Sequence, residues 1–190
     1  EAPAPYLAIT LDDVSRLPSH VHGEEPTMGA VTDVVDPATR KINYSLAIGL
    51  DAENLAELGN ERAYVKLLPH LATHGVQGRP LTEIVDGTTG SYHIEFGGRR
   101  YAISGPTVPA QRSRGLAAYA LFDIVNRQLA ATDVRLYALS SGEDLHGTFL
   151  TAAKAQHAWR NLPRRDWPHQ PTSTSPWTDI DETGTERAAT

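Results

Sequence analysis

The chain has 190 residues and 20.6 kDa, with 17 basic against 23 acidic side chains, a formal charge of −6 and a pI near 5.7. Hydrophobic residues make 40% and charged residues 21%, enough to bury a core, and the acidic balance argues against a dedicated duplex-DNA binder. The absence of cysteine excludes disulfide frameworks, thiolate zinc sites, iron–sulfur clusters and cysteine nucleophiles, and no apolar run approaches the roughly 18–20 residues of a membrane span.

Taken in order, residues 6–10 alternate as a short strand. Thr10 then caps a helical turn carrying Leu11, Val14 and Leu17, which Pro18 ends. Residues 28–36 read as β through Val31, Val34 and Val35. Asp36-Pro37-Ala38-Thr39 is a turn in which proline presets φ and the aspartate bonds the backbone two residues on. Ile42, Tyr44, Leu46, Ile48 and Leu50 alternate strictly with Lys41, Asn43, Ser45, Ala47 and Gly49, which predicts one long strand. Asp51 caps a helix with Leu55 and Leu58, interrupted at Gly59-Asn60. A second helical face follows through Tyr64, Val65, Leu67, Leu68 and Leu71, with Pro69 expected to kink or restart it and Gly75 to end it.

A strand at 81–86 and a turn at 87–90 lead to the clearest hairpin in the chain. Gly97-Gly98 forms a two-residue loop pairing Phe96 with Arg99, Glu95 with Arg100, Ile94 with Tyr101 and Tyr92 with Ile103. Ala118, Leu121, Phe122, Val125 and Leu129 make the buried stripe of an amphipathic helix. Residues 134–139 form a strand, and 140–147 read as a polar loop. Thr151 caps a last helix to Asn161, ended by Leu162-Pro163. The expected fold is α+β: a mostly antiparallel sheet built from hairpins, three to four helices packed mainly on one face, and an extended C-terminal tail. Residues 1–163 form the domain, and 164–190 an extended or partly disordered tail.

Five constellations bear on function. His20 and His22, followed by Glu24 and Glu25, could ligate a divalent metal, as could His70 and His74 at helical spacing. Neither pair has a third ligand at usable spacing, so no metal and no cofactor is expected. Plain readings serve both: a polar loop for the first, and a histidine pair at the negative end of a helix dipole for the second. Ser140-Ser141-Gly142-Glu143-Asp144-Leu145-His146 is the densest polar cluster after a strand. Glu143 or Asp144 could orient His146 as a general base beside a serine, although no nucleophile elbow is present and the loop could simply cap the next segment of chain.

His93, Glu95 and Arg100 share the outer face of the hairpin, with Arg99 near its tip. They could bind an anion or a charged partner, or Glu95 and Arg100 could form a solvated cross-strand pair. All three tryptophans lie in the last 32 residues. Trp159, Arg164, Arg165 and Trp167 have an interface composition, although Trp159 could equally face inward with Trp167 pinning the tail. Three basic against five acidic groups over 163–190 weaken a single-stranded nucleic-acid reading.

No P-loop, dinucleotide fingerprint or calcium-loop pattern occurs. The residues therefore point to a non-catalytic binding domain with a protein partner, of the adaptor, inhibitor or immunity type. The rival is a hydrolase-like enzyme using Glu143, Asp144 and His146, metal-assisted through His20/His22 or His70/His74. A bias of 14 arginines to 3 lysines suggests a GC-rich, bacterial coding source. The Pro/Ala-rich start suits a removed leader or a cloning boundary equally, so the expectation is a soluble chain, cytoplasmic or exported. Oligomeric state stays open.

Overall fold

The computed structural model describes residues 34–174 apart from 37, 142 and 143. The strand expected at 6–10 and its following helix, most of the 28–36 run, the His20/His22 cluster, Glu143 and the tail from 175 with Trp177 lie outside them. The first described turn forms as its residues dictate. Asp36 Oδ1 accepts from the amides of Ala38 at 2.8 Å and Thr39 at 3.2 Å, closing an antiparallel bridge between Val35 and Ile42.

The long strand expected through 42–50 does not form along its whole length. Asn43 Oδ1 accepts from the Ser45 amide at 3.2 Å and the Ser45 hydroxyl at 2.6 Å, which turns Tyr44–Leu46 into one 3-10 turn. Local side-chain bonds of this kind compete directly with a strand ladder. Only Ile48–Asp51 is extended, as β1. Asp51 then caps α1, Ala52–Asn54, its Oδ1 accepting from Glu53 and Asn54 amides at 2.9 and 3.1 Å.

The helix breaks at Glu57 and Leu58, where Leu58 adopts a left-handed φ of 69°. Gly59 follows because the turn folds back so tightly that a Cβ there would sit 2.4 Å from the Asn54 carbonyl oxygen. The chain restarts as α2, Asn60–Thr73, which runs on through Pro69 instead of restarting there. The carbonyl that Pro69 deprives of a donor belongs to Val65, an exposed residue, so water can serve it. Gly75, at φ 71°, ends the helix in a Schellman arrangement: its amide donates to Ala72 and that of Val76 to Leu71.

Among the described residues, six strands form two separate antiparallel three-stranded sheets, which makes the fold α+β. The first sheet has the order β2-β3-β4, with β2 at Thr82–Asp86, β3 at Ser91–Phe96 and β4 at Arg99–Ser104. Its hairpin keeps the expected pairs Phe96–Arg99, Glu95–Arg100 and Ile94–Tyr101, with Gly97 and Gly98 both at positive φ as a type I′ loop requires. The last pair slips: a bulge between Tyr92 and His93 sets Tyr92 opposite Ser104 instead of Ile103.

The second sheet has the order β1-β6-β5, with β5 at Val134–Ser141 and β6 at Asp144–Thr151. Ser140 and Ser141, expected in a loop, thus end one strand, and Asp144 to Gly147, expected in the same loop, begin the central one. β5 is buried from both sides: Leu136 and Ala138 belong to one core cluster, Tyr137 and Leu139 to another. The first cluster includes α3, Ser113–Gln128, whose stripe residues Ala118, Leu121, Phe122 and Val125 are all buried. The second includes Ala155 and Ala158 of α4, Ala152–Asn161, capped by Thr151 Oγ1 as expected. Helices therefore lie on both faces of this sheet, not on one. The near-continuous apolar run of β5 is the signature of that double burial.

The outward edge of β5 is sealed by side chains. Asn126 donates to the Leu136 carbonyl at 2.9 Å and accepts from its amide at 2.7 Å. Thr132 Oγ1 accepts from Val134, while Arg135 Nη1 donates to the carbonyls of Leu129, Thr132 and Val134, neutralising the end of α3. Ala138 exchanges two backbone hydrogen bonds with His169, at 2.7 and 3.0 Å.

Candidate functional site

The outer face of the β3–β4 hairpin brings His93, Glu95 and Arg100 together, in an order the register alone does not give. An Arg100 terminal nitrogen lies 2.9 Å from His93 Nδ1, and Glu95 Oε1 lies 3.6 Å from His93 Nε2. A guanidinium can only donate, so Nδ1 accepts and the ring hydrogen sits on Nε2, toward the carboxylate. The buried imidazole thus stands between the two charged groups expected to pair directly.

The C-terminal set is also assembled. Trp159 Nε1 donates to the Pro168 carbonyl at 2.8 Å, and Trp167 Nε1 to the Leu162 carbonyl at 3.0 Å. Both residues remain partly open, 38% and 36% exposed. Trp159 packs edge-on against Tyr137 at 6.5 Å. Arg164–Asp166 forms one 3-10 turn, with Arg164 and Arg165 exposed. His169, on the β5 edge, is desolvated by burial, which holds its pKa below the usual histidine value. Further on, Arg112 donates to the Ser173 carbonyl at 2.7 Å, so residues up to 173 are tied back to the start of α3.

Of the catalytic candidates, His146 lies within the central strand β6, paired with Gly49 on one side and Leu139 on the other. Its Nδ1 is buried without a hydrogen-bond partner among the described residues, and its ring meets Tyr44 edge-on at 5.1 Å. Asp144 starts the same strand opposite Ser141, and Ser140 pairs with Leu145. His70 and His74 do face one object, but that object is a ring: both imidazoles lie 5.6 Å from Phe149, the first stacked upon it. Among the described residues, no group of three or more His, Asp or Glu side chains is placed to hold a metal ion.

Two polar clusters escaped the sequence reading. In one, Glu83 of β2 accepts from the Asn60 backbone amide at 2.8 Å and from the Tyr92 hydroxyl, so a strand carboxylate caps α2. Burial, reinforced by the Glu83 carboxylate, raises the Tyr92 pKa. In the other, Asp123 of α3 accepts on Oδ2 from the Tyr101 hydroxyl at 2.7 Å and Arg127 Nε at 2.7 Å, with Arg99 Nη1 at 3.4 Å. Burial opposes the charged form of Asp123, but these donors hold its pKa below the usual value. The spacing of Tyr119, Asp123 and Arg127 at successive i, i+4 positions was visible in the sequence. Their meeting with Arg99 and Tyr101 was not.

A scan against protein-family models, a search of curated proteins and a search of solved structures each find no match. No helix among the described residues is long and apolar enough to cross a membrane.

Proposed function

We propose that the chain is a non-catalytic binding domain that engages a protein partner, as an adaptor, inhibitor or immunity-type protein does. The interaction surface is the segment bearing Trp159, Arg164, Arg165 and Trp167, with His93, Glu95 and Arg100 as a second polar face. One observation carries this reading: both indole N–H groups are satisfied internally while both tryptophans stay more than a third exposed. A partner covering those rings would bury apolar area without stranding a donor, and the rings are already held in place. Those are the conditions under which aromatic residues act as hot spots. The exposed guanidiniums of Arg164 and Arg165 add forked donors at the rim. The same reading expects no cofactor and no duplex nucleic acid.

The test is quantitative affinity capture from cells of the source, comparing the native chain with an Arg164→Glu/Arg165→Glu variant and with Trp167→Ala. Charge reversal at two exposed side chains leaves the core untouched. Specific capture that falls roughly tenfold or more in both variants supports the proposal, since a hot-spot tryptophan is worth about 2 kcal/mol or more. Equal capture by all three proteins overturns it.

The hydrolase-like alternative, through Glu143, Asp144 and His146, draws on the buried Nδ1 of His146, which has no partner among the described residues. It is the weaker reading, because that imidazole lies inside a strand, between two others, with Tyr44 against its ring. Metal assistance from His70 and His74 is weaker still, as both rings are engaged with Phe149.

A further inference from the structure

Arg99 and Arg127 reach the same oxygen of Asp123 from different elements, one from the tip of β4 and one from the last turn of α3. That oxygen also accepts the Tyr101 hydroxyl, so three donors compete for it. A carboxylate oxygen accepts about two hydrogen bonds, which leaves the Arg99 contact, the longest of the three, under-satisfied. Arg99 is nevertheless fixed: Nη2 donates to the Tyr119 hydroxyl at 3.0 Å, and the guanidinium lies 5.0 Å from the Tyr101 ring centroid. Tyr101 and Tyr119 meet edge-on at 6.1 Å beneath it. The Arg127 side chain is 49% exposed and that of Arg99 43%. Among the described residues, the Arg127 guanidinium bonds Asp123 through Nε and also interacts with the neighbouring Tyr101 hydroxyl, which leaves it donors to spare on its exposed side.

Two guanidiniums against one carboxylate leave a single net positive charge. A second carboxylate would balance it, whereas a dianionic phosphate would not be neutralised. The chain's overall charge of −6 does not forbid such a contact, because charges beyond a Debye length of about 8 Å are largely screened. We propose that Arg99 and Arg127, preset by Asp123 and Tyr119, form a clamp for one Asp or Glu side-chain carboxylate of a protein partner. The clamp shares no residue with the Trp159–Trp167 surface, so each stands or falls on its own test.

The experiment titrates the isotope-labelled full chain with an acetylated, amidated glutamate-containing peptide, with its glutamine counterpart, and with inorganic phosphate. NMR follows the Nε–H signals of Arg99 and Arg127. The clamp gives saturable shifts with the glutamate peptide and none with the glutamine peptide. Arg127→Gln, on an exposed helix position, should weaken the response roughly tenfold, as expected for a charged hydrogen bond. Arg99→Gln should do the same, and if it disturbs the hairpin then Arg127→Gln decides alone. Asp123→Asn raises the net charge of the site by one and should turn its preference toward phosphate. Equal responses to the two peptides, phosphate binding more tightly than the glutamate peptide to the native chain, or undiminished binding by Arg127→Gln would each overturn the proposal.

Discussion

Among the described residues, the two sheets have three strands each and opposite economies of surface. In β1-β6-β5 the strand β5 is buried on both faces, toward the cluster with α3 on one side and the cluster with α4 on the other, and its edge is closed by Asn126, Thr132, Arg135 and His169. In β2-β3-β4 one face buries Tyr92, Ile94, Phe96, Tyr101 and Ile103, while the other carries Glu95 and Arg100. The difference shows where each sheet gets its definition. The first is held by packing on every side, and the second by a hydrophobic face, a tight loop and polar contacts. It also shows which sheet can present charged groups to a partner without losing its core.

The sharpest way to break this contrast is Leu136→Ala. Leu136 is fully buried in β5, and the truncation should cost about 2–5 kcal/mol, read as a shift in the urea midpoint. A cost below about 1 kcal/mol would mean that the doubly covered sheet is not tightly packed. Next comes Asn126→Ala, which removes both side-chain hydrogen bonds to the Leu136 backbone. Leaving that amide and carbonyl unpaired should cost about 1–3 kcal/mol and speed amide exchange at Leu136 selectively.

The smallest effect at neutral pH belongs to the other sheet. Tyr101→Phe should cost about 1 kcal/mol there. Burial and then the Asp123 carboxylate raise the Tyr101 pKa above its ordinary value of 10.0. The unfolded chain therefore gives up this proton first, so the stability tied to the neutral phenol is intact below pH 10 and is lost as pH climbs above it. The phenylalanine variant should lose less stability than the native chain between neutral pH and about pH 11, by denaturant titration. Equal alkaline losses would detach Tyr101 from the stability of its sheet.

The same contrast explains what could be read in advance. The hairpin was legible because one face is apolar and the other charged, so a period of two stands out and Gly97-Gly98 marks the loop. β6 was not, because Leu145, Gly147 and Phe149 alternate with His146, Thr148 and Leu150. With apolar partners needed on both sides, neither set looks like a face. Gly147 reads as a loop signal, yet it sits mid-strand where a Cβ would meet Leu50 and Leu136 methyl carbons at 3.0 and 3.1 Å. The run from Ile42 erred the other way, since perfect alternation gave no warning that Asn43 would bind Ser45 and turn the chain.

At the candidate sites the divide is one of sequence distance. Residues meeting across a known register, such as Glu95 and Arg100, or within a short segment, such as Trp159 and Trp167, could be foreseen as neighbours. The insertion of His93 between two charges, and the meeting of Arg99 with Asp123, depend on rotamers and on how α3 lies against β4. No periodicity encodes those.

The order of the strands also sets a timetable. β1 pairs with β6, from Ile48 opposite Gly147 to Asp51 opposite Asp144, while β2, β3 and β4 are contiguous in the chain. At roughly 5–20 residues per second, the ribosome takes on the order of 5–20 s to deliver the partner that β1 requires. Closing so long a loop is entropically expensive, and nothing local rewards it in advance. The sheet with the polar outer face can therefore assemble while its neighbour's first strand is still waiting. For that interval, the nascent chain depends on whatever shields Leu50 and its surroundings from other unfinished chains.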